Sequence, residues 1–180
     1  MPRPLFHRIA SAFVSALLLG SLWACDDTAS APPTIPNIKR PNLVVADIER
    51  SLTVYRDILG LEASPIRTGA KDSFSYPVFN VPAEADLRFI SFHEPGEERV
   101  FNLTEVTGID LPAVPSAPYL STFLIGITDF YVNFALLDAL WFNTTRSQIA
   151  DGADFKFIEQ AFIDPDGHLI VCYEVLAPER

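Results

Sequence analysis

Groups able to do covalent or metal chemistry are scarce in these 180 residues. The thiols are Cys25 and Cys172, and the imidazoles are His7, His93 and His168. A divalent ion normally needs three or more N, O or S ligands, so the histidines must first be placed. His168 directly follows Gly167 in Asp164-Pro165-Asp166-Gly167-His168, where it reads as the cover of a hairpin end at the surface. His93 lies in an apolar stretch beside Glu94 and reads as a satisfied edge histidine. Asp47 and Asp129 each precede a helical pattern and are read as N-caps rather than catalytic acids. Cys172 has the parity of a helix-facing strand position, which makes it a small buried hydrophobe rather than a nucleophile. No catalytic residue is assigned. What remains is guanidinium chemistry: Arg40 shares strand parity with Asn42 and Val44, opposite the core-facing Leu43 and Val45. A guanidinium suits bidentate contact with carboxylate or phosphate.

Export decides what Cys25 does. Arg3 and Arg8 give a positive start, residues 9–22 form an apolar run, and Leu22-Trp23-Ala24-Cys25 resembles a bacterial lipobox. In that motif the chain is cut before a cysteine that receives diacylglycerol. The apolar run is too short to span a bilayer comfortably, since a spanning helix needs about 20 apolar residues, and a small residue before the cut fits signal processing. Residues 1–24 are therefore read as a lipoprotein signal peptide, Cys25 as the lipidation site and residues 25–37 as an extended tether. The other reading is an ordinary cleaved signal, in which Cys25 is incidental and free to pair with Cys172. The expected location is the periplasmic or cell-surface face of a bacterial membrane, held through the N-terminal lipid.

Removing Arg3 and Arg8 leaves 13 − 2 = 11 bases against 23 acids, a formal charge of −12. That balance excludes a nucleic-acid partner, whose binding rests on neutralising phosphates. It also excludes docking on anionic lipid through a basic patch.

The elements that must position Arg40 repeat. Residues 38–178 read as one α+β domain of two βαβββ modules, 38–110 and 119–178, separated by the proline-rich stretch 111–118. In each, an alternating strand runs into an aspartate and then a helix: Leu43 and Val45 before Asp47, and Phe123, Ile125 and Ile127 before Asp129. The first helix puts Ile48, Leu52, Tyr55 and Leu59 on one face and ends at Gly60; the second runs over 130–142. Further strands are expected at 75–80, 87–93, 157–163 and 168–175, the last two joined by the Asp-Pro-Asp-Gly turn.

Residues 40–62, Arg-Pro-Asn-Leu-Val-Val-Ala-Asp-Ile-Glu-Arg-Ser-Leu-Thr-Val-Tyr-Arg-Asp-Ile-Leu-Gly-Leu-Glu, resemble the opening of the vicinal oxygen chelate superfamily. That group includes glyoxalase I, extradiol dioxygenases and fosfomycin- and bleomycin-resistance proteins. Residues 161–170, Ala-Phe-Ile-Asp-Pro-Asp-Gly-His-Leu-Ile, resemble its closing hairpin. The resemblance implies two sheets wrapped around a shared cavity and, in metal-using members, a divalent ion held by His, Gln or Glu. The matching positions here are Arg40, Thr122, Val171 and Arg88, or Phe89 if the strand register slips by one. A guanidinium offers no acceptor and valine no donor atom, so neither metal nor cofactor is expected at the family site. The function that follows is a degenerate, metal-free domain binding a small anionic molecule or a protein partner, with Arg40 as its anchor and Asn42, Arg88 and Thr122 nearby. The alternatives are a metal-dependent lyase, dioxygenase or resistance enzyme, and a structural envelope lipoprotein. The second helix is apolar around most of its circumference, so a cover is expected from residues 143–153, from the anchoring membrane surface or from another copy of the chain, a homodimer being expected in preference to self-cover.

Overall fold

The computed structural model describes residues 40–114 and 116–177. The signal segment, Cys25 and the tether lie outside the described residues. The element order is β1 (Asn42–Val45), α1 (Ile48–Leu52), β2 (Glu62–Ala63), β3 (Arg67–Thr68), α2 (Ser75–Phe79), β4 (Asp86–Glu94), β5 (Glu97–Thr107), β6 (Phe123–Gly126), α3 (Phe130–Ala139), β7 (Gln148–Asp151), β8 (Lys156–Ile163) and β9 (Leu169–Leu176). After Leu52 the first helix continues as a wider π-helical stretch, Thr53–Ile58. Ile48, Leu52, Tyr55 and Leu59 are all buried, and Gly60 ends the helix at φ +76°.

Two sheets follow the repeat. In the first, the strand order is β1-β5-β4-β2, with β3 also on β4; in the second it is β6-β9-β8-β7. The first strand of each module pairs in parallel with a later strand, Asn42 opposite Asn102 and Leu124 opposite Val171. Helix-facing residues of both sheets form one core: Val45, Phe92 and Leu103 from the first module meet Ile125, Phe162 and Cys172 from the second. Burying several such side chains, each stabilising by roughly 1.5–3 kcal/mol, welds the modules into one unit.

The Asp-Pro-Asp-Gly turn does more than reverse the chain. Asp164 Oδ1 accepts from the backbone N–H groups of Asp166 and His168, while its Oδ2 accepts from the buried Tyr55 hydroxyl at 2.8 Å. Asp166 Oδ1 accepts from Ala46 N and Arg50 Nη2. His168 Nε2 lies 2.9 Å from the Val44 carbonyl, to which it donates. His168 is thus half-buried at the seam between modules rather than a surface cover. The turn latches module two onto the first strand and helix of module one.

One expected element is corrected, and one strand is added. Residues 75–80 do not form a strand. Ser75–Phe79 is a helical turn, because Pro77 has no N–H for a sheet ladder but is tolerated in a first helical turn. Tyr76 fixes that turn by donating its hydroxyl to the Ala85 carbonyl. The longest strand, β5, was not expected. Its alternation is broken by Glu105, which is buried among apolar neighbours.

Candidate functional site

The first module's sheet has two unlike faces. Arg88 extends from β4 toward the helix. There its guanidinium meets both oxygens of Glu49, at 2.9 and 2.8 Å, and both oxygens of Glu105. Strand alternation then turns Phe89 and Ser91 to the opposite, concave face. The expectation of Arg88 beside Arg40 is therefore wrong by one residue of register. A buried glutamate on the helix side draws the arginine there.

On the concave face lies an open cavity of about 920 Å³. Arg40 enters it from just before β1, Asn42 from β1, Arg67 from β3, and Asn102 and Thr104 from β5. With the Asn102 amide oriented to satisfy both ends, its oxygen accepts from Arg40 Nε at 2.7 Å and its nitrogen donates to Ser91 Oγ and the Phe101 carbonyl. Thr104 Oγ1 donates to Asn42 Oδ1 at 3.0 Å. These bonds pin Arg40 by Nε at the cavity wall, and among the described residues its terminal nitrogens make no hydrogen bond. Among the described residues, Arg50, Arg56, Arg88 and Lys71 pair with carboxylates, whereas Arg40 and Arg67 do not, nor do Arg99, Arg146 and Lys156 outside the cavity. Among the described residues, no acid, imidazole or thiol lines the cavity.

Thr122 is elsewhere. It is exposed, donates to the Leu169 carbonyl at 3.1 Å, and borders a separate cavity with His168 and Tyr119. In module two, a small hollow of about 120 Å³ lies beside Val171. The expected cavity shared by both sheets is thus replaced by one built from module one. Loop 69–85 roofs its far end, where Tyr76 and Ala85 cover Leu87 and Val106.

The register of the parallel pairs also settles which residues are equivalent. Asp47 and Asp129 align the modules, so Asn42 matches Leu124, and their partners Asn102 and Val171 match each other. The fourth position of the pseudosymmetric set is Asn102, not Arg88. Arg40, Thr122, Asn102 and Val171 provide a guanidinium, a hydroxyl, an amide and an isopropyl group. This donor set does not fit a divalent ion, which favours carboxylate, imidazole or thiolate. The carboxylates of Asp47, Glu49 and Glu105 do converge, but on the helix face, where Arg88 already supplies the cation.

Three residues beyond each of those strand positions stands a glutamate, Glu105 and Glu174. Glu105 Oε1 accepts from Ile48 N at 3.0 Å, and Glu174 Oε2 accepts from Phe130 N at 2.8 Å. Each thus takes the first backbone donor of its module's helix, a group with no intrahelical partner. Asp47 also caps, accepting from Arg50 N. Asp129 does not: its backbone is left-handed at φ +56° and its side chain makes no capping bond, so the expected cap is corrected to Glu174. The signal was present as a repeated glutamate at fixed spacing, but without β5 it had no partner.

The remaining candidates are structural. His93 Nδ1 accepts from Arg99 N at 3.2 Å, closing the β4–β5 hairpin. Cys172 is wholly buried, and burial pushes its thiol up to about 12.

No protein-family model and no curated sequence matches this chain. Solved structures do. A glyoxalase family protein from Bacillus cereus superposes with a TM-score of 0.64, over 83% of this chain and 100% of that one, at 12% identity. A glyoxylase/bleomycin resistance protein/dioxygenase domain from Frankia sp. gives 0.54 over 81% and 96%, at 16% identity. The trypanothione-dependent glyoxalase I of Leishmania major gives 0.52 over 77% and 87%, at 18% identity. The fold is that of the glyoxalase-like, vicinal oxygen chelate domains. Fold alone does not carry their chemistry across.

Proposed function

We propose that this chain is an exported, lipid-anchored binding protein whose glyoxalase-like domain holds a small anionic molecule without a metal ion. One observation carries the reading: on a chain of formal charge −10, a cavity of about 920 Å³ presents two arginines with, among the described residues, no carboxylate partner and no acid in its lining. Elsewhere in the described residues, Arg50, Arg56, Lys71 and Arg88 are paired with acids, and the other unpaired cations, Arg99, Arg146 and Lys156, do not line this cavity. Leaving two unpaired in one cavity is understandable if an incoming anion pairs them. Arg40, held by Asn102 at its Nε, would present its fork to a carboxylate or phosphate. Arg67 would close on the same anion from β3. Asn42, Ser91 and Thr104 supply hydroxyl and amide groups for the rest of the molecule, and Phe89 an apolar wall. The sequence pattern before Cys25 supports the anchor.

The test is calorimetric titration of the purified full chain in detergent with a panel of carboxylates and phosphate monoesters. Saturable binding is expected, weakened about 10- to 100-fold in Arg40→Ala and in Arg67→Ala, as loss of one charge-assisted contact implies. Affinity unchanged in both variants rejects the site. Binding that needs an added divalent ion moves the reading to the enzyme alternative.

A further inference from the structure

The outer face of α3 is apolar and uncovered. Phe130, Asn133, Phe134 and Leu137 face the core, while Tyr131, Val132, Leu136 and Leu140 are 45–68% exposed. Trp141 is 93% exposed. Its backbone is left-handed at φ +62°, a conformation that favours glycine, yet it carries the largest side chain and buries almost none of it. Phe142 turns back to stack edge-on against Phe162, so the neighbouring aromatic is core and Trp141 is not. Within residues 129–142 the charged side chains are Asp129 and Asp138 alone, and Asp138 already accepts from Thr144 Oγ1. Segment 143–153 does not cover the indole.

We infer that this face docks on the lipid bilayer that holds the anchor, with Trp141 and Tyr131 at the headgroup–acyl boundary. The inference rests on the proposed acylation of Cys25. Fourteen residues lie between Cys25 and Arg40, which at ~3.3–3.6 Å per residue confines the domain to about 50 Å of the membrane. A short linker makes docking effectively intramolecular, with an effective concentration of order mM, so a weak apolar patch suffices. Tyrosine and tryptophan are the side chains enriched at that boundary. A second copy of the chain fits less well. Two mature chains of like charge repel each other.

Processing before Cys25 removes Trp23 and leaves Trp141 as the sole indole, so the chain carries its own probe. Lipidated full chain is reconstituted into zwitterionic phosphatidylethanolamine/phosphatidylcholine vesicles in which part of the phosphatidylcholine is brominated. Flotation reports the anchor and tryptophan quenching reports docking; the Trp141→Phe chain confirms that the emission belongs to Trp141. Docking predicts loss of about half the emission, consistent with an apolar face seated ~5–10 Å deep, and insensitivity to salt, which does not screen apolar contact. Leu136→Glu with Leu140→Glu, both at exposed positions, should reduce quenching several-fold while flotation persists. Chain that floats with unquenched Trp141 overturns docking and leaves the anchor intact. Chain that does not float overturns the anchor and the docking with it. Unquenched emission that shifts blue with protein concentration assigns the face to a second copy and overturns the inference.

Discussion

Replacing Tyr55 by Phe tests the latch between the modules. Tyr55 is wholly buried and its hydroxyl donates to Asp164 Oδ2 at 2.8 Å. Asp164 is 4% exposed, and desolvation raises its carboxyl above the ordinary value, partly offset by His168, by its backbone bonds and by this hydroxyl. A hydrogen bond to a charged group contributes about 1.5–3 kcal/mol, so Tyr55→Phe should cost about 2 kcal/mol near pH 7. The pH dependence is the sharper part. A carboxyl raised in the folded state binds its proton more tightly there than in the unfolded chain. Its contribution is therefore most favourable below the unfolded value and is lost as pH rises through the folded one. Removing the hydroxyl raises the folded value further and widens that window upward. The cost of Tyr55→Phe should then be small below about pH 4, the ordinary aspartate value, and grow to its full size at neutral pH.

The assay is urea unfolding of wild type and variant from pH 4 to pH 8, with Asp164→Asn and the double variant completing a cycle. A cost independent of pH, or below about 0.5 kcal/mol at pH 7, the range of ordinary surface substitutions, would refute the reasoning.

Other outcomes follow from the helix ends, the thiol and the anchor. Asp47→Ala should cost about 1 kcal/mol in denaturant unfolding, as a lost cap does, whereas Asp129→Gly should be neutral or stabilising because it relieves a left-handed aspartate. Glu174→Ala should lower the melting temperature by about 3 °C, for roughly 1 kcal/mol lost, with Glu174→Gln recovering part through its remaining carbonyl oxygen. Cys172 should resist iodoacetamide at pH 8 until the chain is unfolded, since its thiol is buried and titrates near 12; rapid native labelling contradicts this. Cys25→Ser should leave an unprocessed or unanchored chain, read by fractionation and intact mass, and an unmodified Cys25 in the mature wild type sinks the lipoprotein reading.

What the sequence disclosed depended on how local each determinant is. The strand–aspartate–helix repeat is written in adjacent residues, so β1, β6, both helices and the Asp-Pro-Asp-Gly hairpin were readable. Strand β5 was not, because Glu105 sits where alternation demands an apolar residue, and its satisfaction by Arg88 and Ile48 N depends on residues 17 and 57 positions away. The same nonlocal pairing hid the face of Arg88: its two carboxylate partners come from a different helix and strand. Arg40 and Asn42 could be placed from strand parity alone, and they do line the cavity. Arg67 could not, since β3 is two residues long and takes its register entirely from Phe89 and Arg88 opposite.

The two modules differ most where their scaffolds agree best. Glu105 and Glu174 keep equivalent duties, each accepting the first free N–H of its helix across a parallel strand pair. Three residues upstream on the same strands, Asn102 and Val171 share nothing chemically. Removing a capping acceptor costs stability whatever the protein binds, so such a residue is constrained by folding itself. A concave-face residue that bonds nothing essential carries no such constraint and changes with the ligand. On that logic the asymmetry is informative. Module one retains a polar face, with Asn102 bridging Arg40 and Ser91, while Val171 in module two borders only the small hollow. The anion site is therefore expected on one module, and substitutions at Thr122 or Val171 should leave ligand affinity unchanged under conditions in which Arg40→Ala abolishes most of it.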